Sequence, residues 1–207
     1  MLSDLLFHVK HPPPIQTALD TFATLLLRWN RTVNLIARRD EPNLWERHIE
    51  DSLQLAPLIP PGTARGIDLG SGGGFPGLVL AIATNIPFDL IESDQRKAAF
   101  LREATRLTHA PATIHATRIE ATALPPAPLV TARALAPLTD LLALAAPKLA
   151  PNGICLFLKG QTATSELTEA ATQWHMRTDR LPSRTNPAAS ILRISEIARA
   201  DRPRPPG

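Results

Sequence analysis

The sequence predicts an α/β fold, in which a doubly wound, mostly parallel sheet follows an N-terminal helical extension. Two observations support this prediction. Beyond a proline-rich connector at residues 57–62, short apolar segments alternate with segments of helical periodicity, as they do in βαβ units. One of the strand-to-helix junctions consists largely of glycine, which is typical of folds that bind a ligand at the carboxyl edge of parallel strands.

The connector is the best candidate for a domain boundary. Residues 1–60 are predicted to form the helical extension, residues 61–199 a Rossmann-like core, and the Arg/Pro-rich residues 200–207 a disordered tail. A length of 207 residues suits one α/β domain with such an added element.

Hydrophobic periodicity places the individual elements. In the extension, Ile15, Leu19, Phe22, Leu26 and Trp29 recur at helical spacing and predict a helix over residues 15–29. A second helix is expected from about residue 42 to about residue 55, where prolines end it. In the core, strands are expected at 65–69, 88–92, 112–116, 128–132, 153–158 and 190–197, and helices at 76–84, 95–108, 137–149 and 163–174.

The glycine loop after the first strand is the strongest local signal. Gly70, Gly72 and Gly74 alternate, and an apolar helical run follows Gly77. Glycine lets a backbone take positive φ and approach a ligand closely, while the N–H groups at the start of a helix face that ligand. The loop therefore predicts a nucleotide-like ligand, with a plain glycine-rich turn as the alternative.

An acidic residue ends the second predicted strand. Glu92 stands about twenty residues beyond the glycine loop, where doubly wound sheets place a carboxylate that binds ribose hydroxyls. The alternative is a solvated acid that caps the following helix. Asp94 is the better candidate for that cap, because residues 95–101 have helical character.

Composition narrows the functional class. The net charge is +3 and arginine predominates over lysine, which suits a polyanionic partner but also fits a chain biased towards arginine, alanine and proline. No apolar run reaches the roughly 18 residues of a membrane span. Residues 1–10 do not resemble a secretion signal, so we expect a cytoplasmic protein without a membrane partner. Cys155 stands alone in an apolar run and is expected to be a core thiol, and no metal site is expected.

Several sequence blocks occur together and in order from about residue 29 to residue 160. They are Trp29-Asn30…Asn34-Leu35, Arg47-His48-Ile49-Glu50-Asp51-Ser52-Leu53, Asp68 to Gly77, Glu92-Ser93, Phe100-Leu101, Thr131-Ala132-Arg133-Ala134 and Leu158-Lys159-Gly160. In this combination the chain resembles the bacterial RsmG (GidB) family, which methylates N7 of a guanine in 16S rRNA with S-adenosyl-L-methionine.

The resemblance implies a class I (Rossmann-like) methyltransferase, S-adenosyl-L-methionine as the cofactor, and 16S rRNA or the 30S ribosomal subunit as the partner of a monomeric enzyme. Two rivals stay open: a methyltransferase with a small-molecule acceptor, and a non-catalytic RNA-binding module on a vestigial methyltransferase fold. No tyrosine is present, which disfavours a nicotinamide dehydrogenase with a Tyr-x-x-x-Lys pair.

The resemblance also implies a set of cofactor-binding residues. Gly70, Gly72 and Phe75 would line the site, Glu92 would hold the ribose, and Ile119 with Glu120 would contact the adenine end. Arg133, at the end of the fourth strand, would be a further cofactor contact, and a guanidinium there could bind a carboxylate or phosphate through two hydrogen bonds. The alternatives are an ordinary loop at residues 119 and 120 and a structural ion pair at Arg133.

No catalytic residue can be assigned, because guanine N7 carries a lone pair and no proton, so no general base is required. Arg133, His48 and Lys159 are candidates for positioning the substrate. Lys159 would meet RNA phosphate or be a surface lysine. His48 and Asp51 would close over the cofactor loop or, on the slightly favoured alternative, form a pair that holds the N-terminal helices against the domain.

Overall fold

The computed structural model describes residues 13–200 and contains a seven-stranded sheet with helices on both faces. The strands are β1 (Gly66–Leu69), β2 (Phe88–Ile91), β3 (Ala112–His115), β4 (Ala127–Arg133), β5 (Leu149–Lys159), β6 (Trp174–Pro182) and β7 (Ser190–Arg199). Their order is β3-β2-β1-β4-β5-β7-β6. The expectations for residues 1–10 and for the tail beyond Ala200 lie outside the described residues.

The sheet is doubly wound, as predicted. Strands β1 to β5 are parallel, whereas β7 runs antiparallel to β5 and β6 runs antiparallel to β7. Strand β1 pairs with β2 on one side and β4 on the other, so the chain reverses its direction across the sheet at β1. Such a reversal opens a crevice at the carboxyl ends of the two strands, which is where ligands bind in open α/β sheets.

The helices divide between the two faces of the sheet. They are α1 (Pro13–Asn30), α2 (Asp51–Leu53), α3 (Gly77–Thr84), α4 (Gln95–Thr108), α5 (Leu138–Ala145) and α6 (Ala163–Ala170). Apolar residues of α1, α3 and α4 share one hydrophobic core, and those of α5 and α6 belong to the other. None of the helices within residues 13–200 is long and apolar enough to cross a membrane.

Helix α1 carries the predicted amphipathic pattern. Leu19, Phe22 and Leu26 are fully buried, and the Phe22 ring lies 5.5 Å from that of Phe75 in the glycine loop. The extension therefore packs directly on the segment that the sequence identifies as the ligand loop.

The second predicted helix is present but irregular: a π-helical turn (Trp45–Glu50) continues directly into the single turn α2. A 3-10 turn (Arg38–Asn43) precedes this segment, and a second one (Ala56–Leu58) follows it. Pro42 and Pro57 stand in the two 3-10 turns, and because proline has no N–H donor, neither can continue a helical hydrogen-bond pattern through its position.

The sequence prediction missed β6, because a helix was expected to continue to residue 174 while α6 ends at Ala170. β6 is an edge strand that pairs only with β7, and it carries Arg177, Asp179 and Arg180. Charged residues are common on edge strands because they discourage further strand pairing, and here they obscure the apolar alternation of a strand.

Candidate functional site

The glycine loop, residues 70–76, joins β1 to α3 in a conformation that requires glycine. Gly70, Gly72 and Gly74 have φ values of 65°, 53° and 93°. A Cβ at Gly70 would lie 2.6 Å from Cδ1 of Leu135, and one at Gly77 would overlap the side chain of Asp68. The loop thus lies against the segment after β4, and α3 begins directly over the end of β1.

Asp68 supports the loop from below. Its side chain is fully buried, and Oδ1 accepts a hydrogen bond from Oγ1 of Thr131 on β4 over 2.6 Å. Burial raises the pKa of this carboxyl to about 6, although the hydrogen bond from Thr131 opposes the shift. Asp68 therefore ties β1 to β4 beneath the crevice.

Glu92 is bonded to the loop through the backbone. Oε2 accepts the N–H of Gly72 over 2.8 Å, and Oε1 accepts the N–H of Asp94 over 2.7 Å. Each carboxylate oxygen has a second lone pair, so both can still accept a hydroxyl group. Asp94 caps α4 by accepting the N–H groups of Arg96 and Lys97, which confirms its predicted role.

A cavity of about 520 Å³ lies above the glycine loop. Its volume is within the range of small-molecule sites. Its walls include every residue that the sequence analysis assigned to the cofactor: Gly70, Gly72, Phe75, Glu92, Ile119, Glu120 and Arg133. We refer to it as the cofactor cavity.

A second cavity of about 870 Å³ adjoins the first. The two share one segment, residues 133–136, so that this segment forms a ridge between them. Ala134 on the ridge has φ of 50°, a conformation that is strained for a residue with a Cβ and is often retained at functional sites. We refer to the second space as the acceptor cavity; His48 and Lys159 line it.

Arg133 joins the ridge to the N-terminal segment. Its Nη2 lies 2.7 Å from Nδ1 of His48, and its Nη1 donates to the carbonyl oxygen of Arg47 (3.1 Å) and to Oδ2 of Asp51 (3.4 Å). The guanidinium carbon lies 4.8 Å from the ring centroid of Phe75. Arg133 therefore lines both cavities, but its guanidinium is already bonded to groups of the N-terminal segment.

The His48 imidazole is neutral. Burial, and then the charge of Arg133, lower its pKa to about 4. A guanidinium only donates, so Nδ1 of His48 must accept and the ring proton resides on Nε2, 3.6 Å from Oδ2 of Asp40. His48 therefore has no free basic nitrogen directed at a substrate.

Asp51 connects the N-terminal segment to the loop between β6 and β7. Its Oδ1 accepts hydrogen bonds from Oγ1 of Thr185 (2.7 Å) and Nε2 of Gln54 (2.8 Å). Oε1 of Gln54 in turn accepts the N–H of Arg184 over 2.8 Å. The contacts of His48 and Asp51 are thus those of the structural alternative, in which the pair holds the N-terminal segment in place.

Lys159 is buried and its ammonium group is already engaged. Nζ donates to the carbonyl oxygen of Ala136 over 2.6 Å and pairs with Oε2 of Glu166 over 2.7 Å. Oε2 of Glu166 also accepts the N–H of Leu138 over 2.8 Å. These contacts favour a role in holding the ridge over a direct contact with RNA phosphate.

Several residues of the site were not found from the sequence. Leu135 on the ridge, Asp40 beside His48, Thr185 beside Asp51, and Glu46 on the wall of the acceptor cavity belong to this group. Only Asp40 had a usable signal, because an acid close in sequence to Arg47 and His48 is a plausible partner for either.

Comparison with known proteins identifies relatives along most of the chain. The family model described as rRNA small subunit methyltransferase G matches residues 15–187. The "Ribosomal RNA small subunit methyltransferase G" of Granulibacter bethesdensis is 60% identical over 178 residues, which cover 86% of this chain and 84% of the relative. The protein of the same name from Gluconobacter oxydans is 59% identical over 181 residues, covering 87% and 93%.

Solved structures agree on the fold. A ribosomal protein L11 methylase from Lactobacillus delbrueckii has a TM-score of 0.57 at 14% identity, over 72% of this chain and 78% of that one. TYW2 of M. jannaschii, solved in complex with AdoMet, has a TM-score of 0.55 at 14% identity, over 73% and 74%. At this identity the likeness concerns the class I methyltransferase fold alone.

Proposed function

This chain belongs to the rRNA small subunit methyltransferase G family, and from that premise we propose that it methylates N7 of a guanine in 16S rRNA. It is an rRNA methyltransferase that uses S-adenosyl-L-methionine. The observation that carries the finer proposal is the pair of cavities that meet at residues 133–136. One cavity has the groups that suit the methyl donor, and the other has space for a base.

The residues of the cofactor cavity fit S-adenosyl-L-methionine. The Glu92 carboxylate suits a ribose diol, the buried Ile119 offers an apolar wall to the adenine ring, and the glycines of the loop line the cavity with backbone atoms. When bound, the cofactor supplies an electrophilic methyl group.

The remaining task of the protein is positioning. Guanine N7 has a lone pair and no proton, and His48 is held neutral with Nδ1 bonded to Arg133. Lys159 fixes the carbonyl of Ala136, and Arg133 anchors the opposite end of the ridge. The chain therefore contributes an ordered ridge against which two reactants are aligned, which is a recognised source of rate enhancement.

The surface near the loop suits an RNA partner. The carbonyl oxygen of Leu35 would lie 3.2 Å from a Cβ at Gly73, which places the following 3-10 turn close to the glycine loop. Arg38 and Arg39 on this turn are exposed. We assign these two cations to phosphate contacts with rRNA. An enzyme that acts on rRNA must be where ribosomes are assembled, so we propose a cytoplasmic location. We also propose that the enzyme acts as a monomer.

Isothermal titration calorimetry with S-adenosyl-L-methionine, followed by transfer of its labelled methyl group, tests this function. We expect one class of cofactor site and incorporation of label into 16S rRNA, presented either as naked RNA or within 30S subunits. Cofactor binding with no transfer to either RNA would reject the rRNA acceptor and favour a small-molecule acceptor. Failure to bind the cofactor would reject the assignment of the cavity.

A further inference from the structure

The acceptor cavity is lined by three cations, yet an ion pair engages each of them. The pairs are Arg47 with Asp40 (3.0 Å), Arg133 with Asp51 (3.4 Å) and Lys159 with Glu166 (2.7 Å). Lys159 and Arg133 are also largely buried, with side-chain exposures of 7% and 18%. A phosphate entering this cavity would find no uncompensated cation on these three side chains, so the cavity is better suited to an uncharged base.

Unlike these three cations, the charged side chain of Glu46 in the lining of the acceptor cavity has no ion-pair partner among the described residues. It lies on the π-helical turn Trp45–Glu50, is exposed, and lines the acceptor cavity but not the cofactor cavity. Among residues 13–200, no side chain or backbone N–H donates a hydrogen bond to its carboxylate, and no cation pairs with it. The uncompensated charge on the wall of a site for a nucleic acid substrate is therefore negative.

A lone carboxylate has specific use against guanine. Ionised, it only accepts hydrogen bonds, and it offers two oxygens side by side. The Watson–Crick edge of guanine presents two adjacent donors, the N1–H and the 2-amino group, on the far side of the purine from N7. With N7 directed at the ridge, that edge would lie inside the acceptor cavity, whose lining includes Glu46.

We propose that Glu46 is the specificity-determining residue for the acceptor base, accepting hydrogen bonds from N1–H and the 2-amino group of guanine. This inference rests on the function proposed above. Such a carboxylate would disfavour adenine, which has a lone pair at N1 and no 2-amino group, so that its edge would repel the carboxylate. Enzymes that act on an unstacked base commonly read its Watson–Crick edge in this way.

The competing explanation is that Glu46 is a solvated acid at the rim. The two explanations predict opposite effects of Glu46→Gln on activity towards rRNA. A rim acid repels RNA, so Glu46→Gln would bind rRNA as well as or better than the wild type and leave kcat unchanged. If the carboxylate instead binds the base, Glu46→Gln should lower kcat/KM, because the new amide N–H group would face a donor of the base.

The test uses 30S subunits reconstituted with 16S rRNA that carries either guanosine or inosine at the mapped target. Inosine keeps N7 and N1–H but lacks the 2-amino group. The enzymes are the wild type, Glu46→Gln, Glu46→Ala and the matched control Glu169→Gln, which removes an exposed carboxylate from α6 outside both cavities. The measurements are kcat, KM and the dissociation constant for S-adenosyl-L-methionine.

We expect the wild type and Glu169→Gln to prefer guanosine over inosine by about 100-fold in kcat/KM, because a site built for a donor rejects an analogue without it. In Glu46→Ala, that ratio should fall towards one, and Glu46→Gln should lose about 10-fold to 100-fold on guanosine with unchanged cofactor affinity. An unaltered guanosine-to-inosine ratio in Glu46→Ala would overturn the proposal. Absence of transfer by the wild type to guanosine subunits would instead reject the proposed function itself.

Discussion

Nη2 of Arg133, at the end of β4, donates a hydrogen bond to Nδ1 of His48 over 2.7 Å. This contact joins residues 85 positions apart in the chain and connects the ridge between the two cavities to the N-terminal segment. It also fixes the His48 tautomer, so the imidazole acts as an acceptor for the guanidinium and not as a base for the substrate.

Replacing His48 separates these two roles. An asparagine can place Oδ1 where Nδ1 lies and accept from Arg133, whereas alanine leaves a buried guanidinium donor without its partner. We expect His48→Ala to lower the free energy of unfolding by about 2 kcal/mol and His48→Asn by roughly half as much. Methyl transfer should fall about tenfold in His48→Ala and only a few-fold in His48→Asn. Urea denaturation and single-turnover transfer provide the measurements.

Burial of His48, and then the charge of Arg133, keep the imidazole from titrating near neutral pH. Because the pKa of His48 is lowered to about 4, its charge does not change between pH 6 and 8. His48 should therefore contribute no inflection near pH 6.5, the ordinary pKa of histidine, to the rate of the methyl-transfer step. An inflection there that disappears in His48→Asn, with cofactor affinity intact, would identify His48 as an acid–base group and contradict the tautomer assignment.

Asp68 makes stability depend on pH in an unusual direction. Burial raises its pKa from 3.8 to about 6, so the folded protein binds more protons than the unfolded chain between these values. The stability contributed by Asp68 is complete below about pH 4 and is lost as the pH rises through 6. Asp68→Asn keeps an acceptor for Thr131 and cannot titrate. The wild type should therefore lose about 2 to 3 kcal/mol relative to Asp68→Asn between pH 4 and pH 7.

Chemical denaturation of the wild type and Asp68→Asn at matched pH values measures this difference. Because both proteins retain His48, whose lowered pKa has the opposite effect on stability, the comparison isolates Asp68. A stability difference that is constant from pH 4 to pH 7 would show that the carboxyl of Asp68 titrates alike in the folded and unfolded states.

Alanine variants at Gly70 and Gly62 separate the effect of a lost ligand site from the effect of backbone strain. Both have positive φ, 65° and 76°, but a Cβ at Gly70 would meet Leu135 at 2.6 Å while one at Gly62 has no neighbour within 4 Å. Each alanine variant should lose about 1 kcal/mol of stability from the backbone alone. Only Gly70→Ala should weaken S-adenosyl-L-methionine binding, by roughly tenfold or more, since the side chain of Leu135, which lines the cofactor cavity, must shift. Equal calorimetric affinities for the two variants would argue against the placement of the cofactor.

Arg38 and Arg39 are expected to contact rRNA phosphates. The double variant Arg38→Ala/Arg39→Ala should weaken RNA binding and reduce the slope of log affinity against log salt by about one for each phosphate that is no longer neutralised. Its matched control is Arg102→Ala/Arg106→Ala, which removes two exposed arginines from α4. Filter binding over a salt series should separate the two variants, and superimposable slopes would place the RNA elsewhere.

The sequence predicted well what local patterns encode. The parallel strands, the glycine loop and the cap at Asp94 follow from short segments whose physical requirements are met within a few residues. The contacts around the acceptor cavity have no such local signal. Asp51 is hydrogen-bonded to Thr185, 134 residues away, and Thr185 follows β6, a strand whose charged residues obscure its apolar alternation. In the sequence, Glu46 cannot be distinguished from any other surface acid. Only the structure shows that the cations lining the same cavity are already in ion pairs.

The most direct test of the account is the identity of the modified nucleoside. Subunits that lack the modification are treated with the enzyme and S-adenosyl-L-methionine, and the 16S rRNA is digested and analysed by mass spectrometry, with borohydride–aniline cleavage to map the position. We predict 7-methylguanosine at a single position, with a lower yield in Gly70→Ala when S-adenosyl-L-methionine is limiting. A methyl group on any other atom or nucleoside would contradict the alignment of guanine N7 across the ridge at residues 133–136.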